Sequence, residues 1–225
     1  MSFDESILKS DERAVFKLRA LYREYGYNQF KMSKFEEYDL YSENKDFLVS
    51  DGVITFNDTN GKLLALKPDV TLSILKNFKD EAGSTERLYY NENVYRISET
   101  SHTYKEIMQT GLECIGDING DNEAEVIILA LKSLALISDD FVLDLSHIGL
   151  VSALLDGFCL EGEQRKSALN AVVAKNGDLL RETCGEEIFG SLKCLIKSFK
   201  NAKDALNTVA KICKTDKAKQ YAKEL

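Results

Sequence analysis

The stretch Gln109-Thr110-Gly111-Leu112-Glu113 sets two hydrogen-bonding side chains on either side of a bare glycine. Side chains alternate faces along a strand, so Gln109, Gly111 and Glu113 share one face and Met108, Thr110, Leu112 and Cys114 the other. Four residue steps of ~3.3 Å separate the two polar groups by about 13 Å. A glycine inside a strand marks close approach of a ligand or another backbone. A small ligand over Gly111 would meet the Glu113 carboxylate, which accepts from an ammonium group, and the Gln109 amide at its other end. An ordinary solvent-exposed sheet face carries the same residues. Arg96, in Val94-Tyr95-Arg96-Ile97, offers a donor fork matched to carboxylate or phosphate, and equally to a cross-strand ion pair. Lys67-Pro68-Asp69-Val70-Thr71 reads as a strand-to-helix corner. The oxygens of Asp69 and Thr71 suit either a helix cap or an amino group.

Other candidates are weaker. His147 reads as structural, and His102 and Lys105 sit in a polar loop. Lys211, Lys214, Lys217, Lys219 and Lys223 read as a solvated helix face. Neither GxxxxGK[ST] nor GxGxxG occurs, so a P-loop or Rossmann site has no support. With two histidines a histidine-rich metal site is excluded, and neither metal nor cofactor is expected. Five cysteines without CxxC spacing fit reduced thiols in a cytoplasmic protein. The net charge of −8 disfavours a sequence-independent nucleic-acid binder. No apolar run approaches the ~20 residues of a membrane span, and the opening residues show no signal-peptide pattern.

The elements that must position these residues follow from periodicity. Asp11–Tyr25 has helical spacing and ends at Gly26. A short strand is expected at Asn28–Met32 and a short helix at Phe35–Tyr41. Val53–Phe56 and Leu63–Leu66 flank a turn-rich loop and predict a hairpin. Pro68 precedes a helix over Asp69–Phe78. Strands follow at Glu86–Tyr90, Val94–Ser98 and Glu106–Gly116, with the polar loop Glu99–Lys105 before the last. Asp121–Ile137 predicts an amphipathic helix and Phe141–Leu145 a strand. Glu161–Leu225 reads as three to five short helices, broken near Asn176-Gly177, Gly185 and Asn201. The fold class is α+β, with domains at 1–157 and 158–225.

In order, these pieces resemble the core of class II aminoacyl-tRNA synthetases, in the histidyl branch. Leu66-Lys67-Pro68-Asp69-Val70-Thr71 is similar to L-R-P-[ED]-x-T. Tyr89-Tyr90-Asn91-Glu92-Asn93-Val94-Tyr95-Arg96 is similar to Y-Y-x-G-x-V-F-R of motif 2, and Gln109–Gly116 to Q-x-G-x-E-x-I-G. Asn122–Ile127 is similar to D-A-E-V-I. The resemblance covers roughly Asp11–Gly157. It implies an antiparallel sheet flanked by helices, with a C-terminal helical region.

That branch holds two kinds of protein. One charges tRNA with histidine. The other is the regulatory subunit of ATP phosphoribosyltransferase, which works with a short-form catalytic subunit in the first step of histidine biosynthesis. Pro68-Asp69 and Phe141–Leu150, similar to F-x-L-D-L-G-H-x-G, resemble the regulatory kind. The motif 2 loop lacks the arginine that synthetases use there to contact ATP. The resemblance implies that Asp69, Thr71, Gln109 and Glu113 hold histidine and that Arg96 contacts its carboxylate or an α-phosphate. It implies no catalysis by the chain, L-histidine as effector and self-association through the motif 1 region. A divergent or partial histidyl-tRNA synthetase, or a free-standing amino-acid or tRNA-binding module, are the alternatives. The family's later segments have no counterpart here. A sheet stopped at that point has an open edge, so a partner subunit or further chain is expected to cover it.

Overall fold

The computed structural model describes residues 5–44, 48, 52–79, 82–98, 100–197, 199 and 201–224. Glu99 of the expected loop and Leu225 of the last expected helix lie outside the described residues. The chain forms two compact units, Met1–Leu143 and Asp144–Leu225. The division falls before the change in composition at Gly157, because the helix Ile148–Gly157 buries Leu150, Ala153, Leu154 and Leu155 among the helices that follow it.

The first unit opens with α1 (Ser10–Glu24), which Gly26 ends at φ +81°, a conformation that costs a glycine little. β1 (Asn28–Gln29) pairs in parallel with β5 (Thr85–Ile97), and β5 pairs antiparallel with β6 (Tyr104–Gly116). The sheet order is β1-β5-β6. The hairpin is in register from Thr85 opposite Gly116 to Ile97 opposite Tyr104. A smaller antiparallel sheet joins β2 (Phe35–Glu37), β4 (Leu63–Leu66) and β3 (Thr55–Asn57), in that order. α2 (Asp39–Ser42), α3 (Thr71–Asn77) and α4 (Gly120–Ile137) complete the unit.

Three expectations are corrected. Glu86–Tyr90 and Val94–Ser98 are one strand, because the polar residues between them are paired across the hairpin. Thr110 donates to Asn91 at 2.9 Å, and Asn93 donates to Glu106 at 2.6 Å. The expected helix at Phe35–Tyr41 starts as β2, whose register on β4 buries Ala65. Phe141–Leu145 forms no strand and makes no ladder bonds with any described strand.

The two faces of the hairpin are covered differently. On one, Tyr89 and Leu112 pack with Leu18, Tyr22, Tyr27 and Leu129 beneath α1 and α4. Leu129 is fully buried, and truncating such a leucine to alanine costs about 2–5 kcal/mol. On the other, Leu88, Tyr90, Val94, Ile107 and Ile115 pack with Val70 and Ile74 of the α3 region. α4 starts on a capping box in which the Asn119 side chain accepts from Asp121 and Asn122.

The second unit holds α5 (Ile148–Gly157), α6 (Gly162–Val173), α7 (Gly177–Leu192), α8 (Ala202–Ala210) and α9 (Asp216–Glu224). The expected breaks fall where the sequence places them. Asn176 caps α7, Gly185 kinks it at φ +76°, and Asn201 caps α8. His147 Nδ1 accepts the Leu150 N–H at 2.9 Å and so caps α5, and its ring lies 4.9 Å from that of Tyr221.

Candidate functional site

Residues 67–71, between β4 and α3, cross one face of the hairpin and are tied to it at several points. The Lys67 carbonyl accepts from the Tyr95 N–H at 2.9 Å, and Lys67 Nζ lies 2.5 Å from a Glu92 carboxylate oxygen. The Pro68 carbonyl accepts from Arg96 Nε at 3.0 Å. Thr71 donates to Glu113 at 2.7 Å. Asp69 instead accepts from the Leu72 N–H at 3.0 Å, which starts α3. One Asp69 oxygen thus serves the helix, as the capping reading expects.

The face is the one that strand alternation assigns. Glu113 lies opposite Leu88, Gly111 opposite Tyr90, and Gln109 opposite Glu92. Asp69, Thr71 and Glu113 form one group. Arg96 joins it through the Pro68 carbonyl, with its terminal guanidinium nitrogens unpaired among the described residues. Gln109 is half-buried and makes no side-chain hydrogen bond to another described residue.

Electrostatically this is a place for a cation. Burial pushes the Glu113 carboxyl above the usual glutamate range, the negative charge of Asp69 pushes it further, and the Thr71 hydroxyl pulls it back. Two carboxylates that raise each other's cost of ionisation favour a positive group between them. An ammonium would be held by Glu113, Asp69 and Thr71, and a carboxylate would suit Arg96.

One expectation needs correction. Gly111 does not leave open floor for a ligand, because the Tyr90 ring lies over it. A Cβ built on Gly111 would sit 2.5 Å from Tyr90 Oη and 2.7 Å from Cζ. Tyr90 therefore belongs to the site. Burial, then the charges of Glu113 and Asp69, push its hydroxyl up to about 12, so it stays protonated and able to donate. Tyr90, Glu92 and Lys67 are the site residues that sequence reasoning missed. The signal for the first two is their alternation with Arg96 along β5. The hairpin turn carries no arginine; it is closed by Ser98 N–H to Thr103 carbonyl, 2.9 Å, with His102 at φ 51°.

A larger concavity lies elsewhere. About 580 Å³ opens between α1 and α4, lined mostly by apolar atoms of Ala20, Leu21, Ala135 and Leu136, with Lys17, Glu24 and Lys132 at its rim. It lacks the convergent polar groups of the hairpin face. No group of three or more metal-ligating side chains occurs among the described residues.

A helix-backed antiparallel hairpin, crossed by a corner that carries the acidic and hydroxyl groups, is the arrangement of a class II aminoacyl-tRNA synthetase-like fold. The solved ATP phosphoribosyltransferase regulatory subunit/histidyl-tRNA synthetase of Bacillus halodurans superposes with a TM-score of 0.76 at 24% identity, over 100% of this chain and 64% of that one. A chain of the ATP phosphoribosyl transferase HisG:HisZ complex from Thermotoga maritima gives 0.64 at 17% identity, over 88% and 76%. The family described as Histidyl-tRNA synthetase matches residues 4–225, and the chain belongs to it. Among relatives, an ATP phosphoribosyltransferase regulatory subunit from Oceanobacillus iheyensis is 30% identical over 178 residues, 78% of this chain and 43% of the relative. A histidine–tRNA ligase from Methanococcus aeolicus is 23% identical over 248 residues, 97% of this chain and 59% of the relative. The chain thus spans less than two thirds of the length of these two relatives.

Proposed function

We propose that the chain is a non-catalytic regulatory subunit of ATP phosphoribosyltransferase, acting in the cytoplasm in the first step of histidine biosynthesis. Its partner is the short-form catalytic subunit, and L-histidine is the feedback effector held by Asp69, Thr71, Arg96, Gln109 and Glu113. The observation that carries this reading is an asymmetry. The amino-acid end of the site is assembled around Glu113, whereas the hairpin turn has no arginine to meet nucleotide phosphates. Adenylate formation needs positive groups where charge develops on phosphate, and Arg96 is what remains of that set. The regulatory relative and the HisG:HisZ complex support the same reading. Histidine acts by binding one arrangement of the assembly more tightly than another, and the partner's catalysis falls by linkage. The chain self-associates through its motif 1 region, α1 to β2.

The test is phosphoribosyl transfer to ATP by the short-form catalytic subunit, with and without the chain and then with L-histidine. A rate raised by the chain and lowered again by histidine is the expected result. An unchanged rate refutes the proposal. A second reading, a partial histidine–tRNA ligase, is favoured by the ligase relative. It requires histidine-dependent ATP–pyrophosphate exchange by the chain.

A further inference from the structure

The Lys67–Glu92 pair falls where the sequence departs from the pattern it resembles. Lys67 stands in place of arginine, and Glu92 in place of the glycine of Y-Y-x-G-x-V-F-R. The two departures meet at 2.5 Å. The ammonium end is sealed at 1% exposure, while the carboxylate end keeps 17%. Glu92 lies directly opposite Gln109, on the face it shares with Tyr90, Val94 and Arg96. It therefore stands between the Gly111 row and the Arg96 row of the sheet.

We propose that the Lys67–Glu92 pair is a selectivity element, which fills the sheet beside Gln109 with its carboxylate outward, so that the site takes a free amino acid and turns away the same group joined to an adenylyl phosphate. The inference rests on the amino-acid site proposed above. A glycine at position 92 would leave bare backbone in that row. Glu92 fills it and directs the negative end of the pair toward any ligand reaching for Arg96. The side chain cannot swing aside, because that would strand a buried ammonium without a counter-charge. Two unit charges ~10 Å apart at an effective dielectric of ~20 repel enough to weaken binding about tenfold.

The test is calorimetric titration of the full chain with L-histidine, with L-histidinol, and with the phosphodiester of L-histidinol and adenosine monophosphate. Wild type, Glu92→Gln and the double variant Lys67→Met/Glu92→Gly are compared; the double variant removes both charges together. The wild type is expected to bind the phosphodiester no more tightly than histidinol, and the variants to improve the phosphodiester about tenfold relative to histidinol. A wild type that binds the phosphodiester more than about tenfold tighter overturns the inference, even where neither variant folds. So does a ratio that is the same in all three proteins. In both cases histidine binding by the wild type leaves the site itself standing. If the wild type binds none of the three compounds, the amino-acid site fails, and the selectivity inference falls with it.

Discussion

Replacing Gly111 by alanine tests whether Tyr90 occupies the site floor. The new Cβ would lie 2.5 Å from Tyr90 Oη, so the phenol must retreat by about 0.9 Å to reach ordinary contact at 3.4 Å. It has little room to do so, because Tyr90 packs against Val70, Ile74 and Val94, all buried at 1% exposure or less. Overpacking of this kind costs about 1–3 kcal/mol. In a protein of this size each kcal/mol moves the melting temperature by about 2–4 °C, so a loss near the middle of that range lowers it by about 4–8 °C. Elsewhere in a strand, glycine to alanine stabilises by about 0.5–1 kcal/mol. The sign therefore reverses once the ring is gone. In a Tyr90→Leu background, Gly111→Ala should be neutral or stabilising. Urea midpoints of the four proteins, followed by far-ultraviolet circular dichroism, close the double-mutant cycle. Equal costs in the two backgrounds would refute the placement of Tyr90 over Gly111.

Three further outcomes are expected. Glu113→Gln should stabilise the ligand-free chain at neutral pH. The raised carboxyl means that the folded state holds a proton the unfolded state has released, so stability falls as pH rises from the ordinary glutamate range through the raised folded one. The difference from wild type in thermal melts should vanish below about pH 4, where both states are protonated; the same variant should lose affinity for L-histidine. Glu92→Ala should cost about 3–5 kcal/mol in urea unfolding by stranding the Lys67 ammonium, and Lys67→Met/Glu92→Met should recover most of it. His147→Ala should cost about 0.5–2 kcal/mol through the lost α5 cap, seen as faster amide exchange at Leu150, whereas His147→Asn should retain most of the protection.

Much of the site is legible in the sequence, because strand alternation is a local rule. It puts Gln109, Gly111 and Glu113 on one face before any neighbour is known. The corner at Pro68 is legible as well, since proline and the acid after it announce a helix start. What sits over Gly111 depends on the hairpin register, which sets Tyr90 opposite it across 21 residues of sequence. Asn91-Glu92-Asn93 looks like a turn by composition, and only the partners Thr110, Lys67 and Glu106 reveal a strand. Caps and kinks after residue 157 are legible because Asn176, Gly185 and Asn201 act on their own backbone. The Phe141–Leu145 strand is misread for the opposite reason. Its residues suit a strand, and no strand lies beside it.

β6 forms its ladder with β5 alone among the described residues. In an antiparallel pair, every second amide points at the neighbour and the rest point away. Hydrogen exchange in the free protein should therefore alternate along Tyr104–Gly116, slow at amides held by β5 and fast at those facing outward. The fast set is a row of vacant donors spaced two residues apart, along the same strand that carries Gln109 and Glu113. Whatever strand settles there will silence that alternation residue by residue. The exchange pattern would thus map the extent of the contact along β6 without any knowledge of what made it.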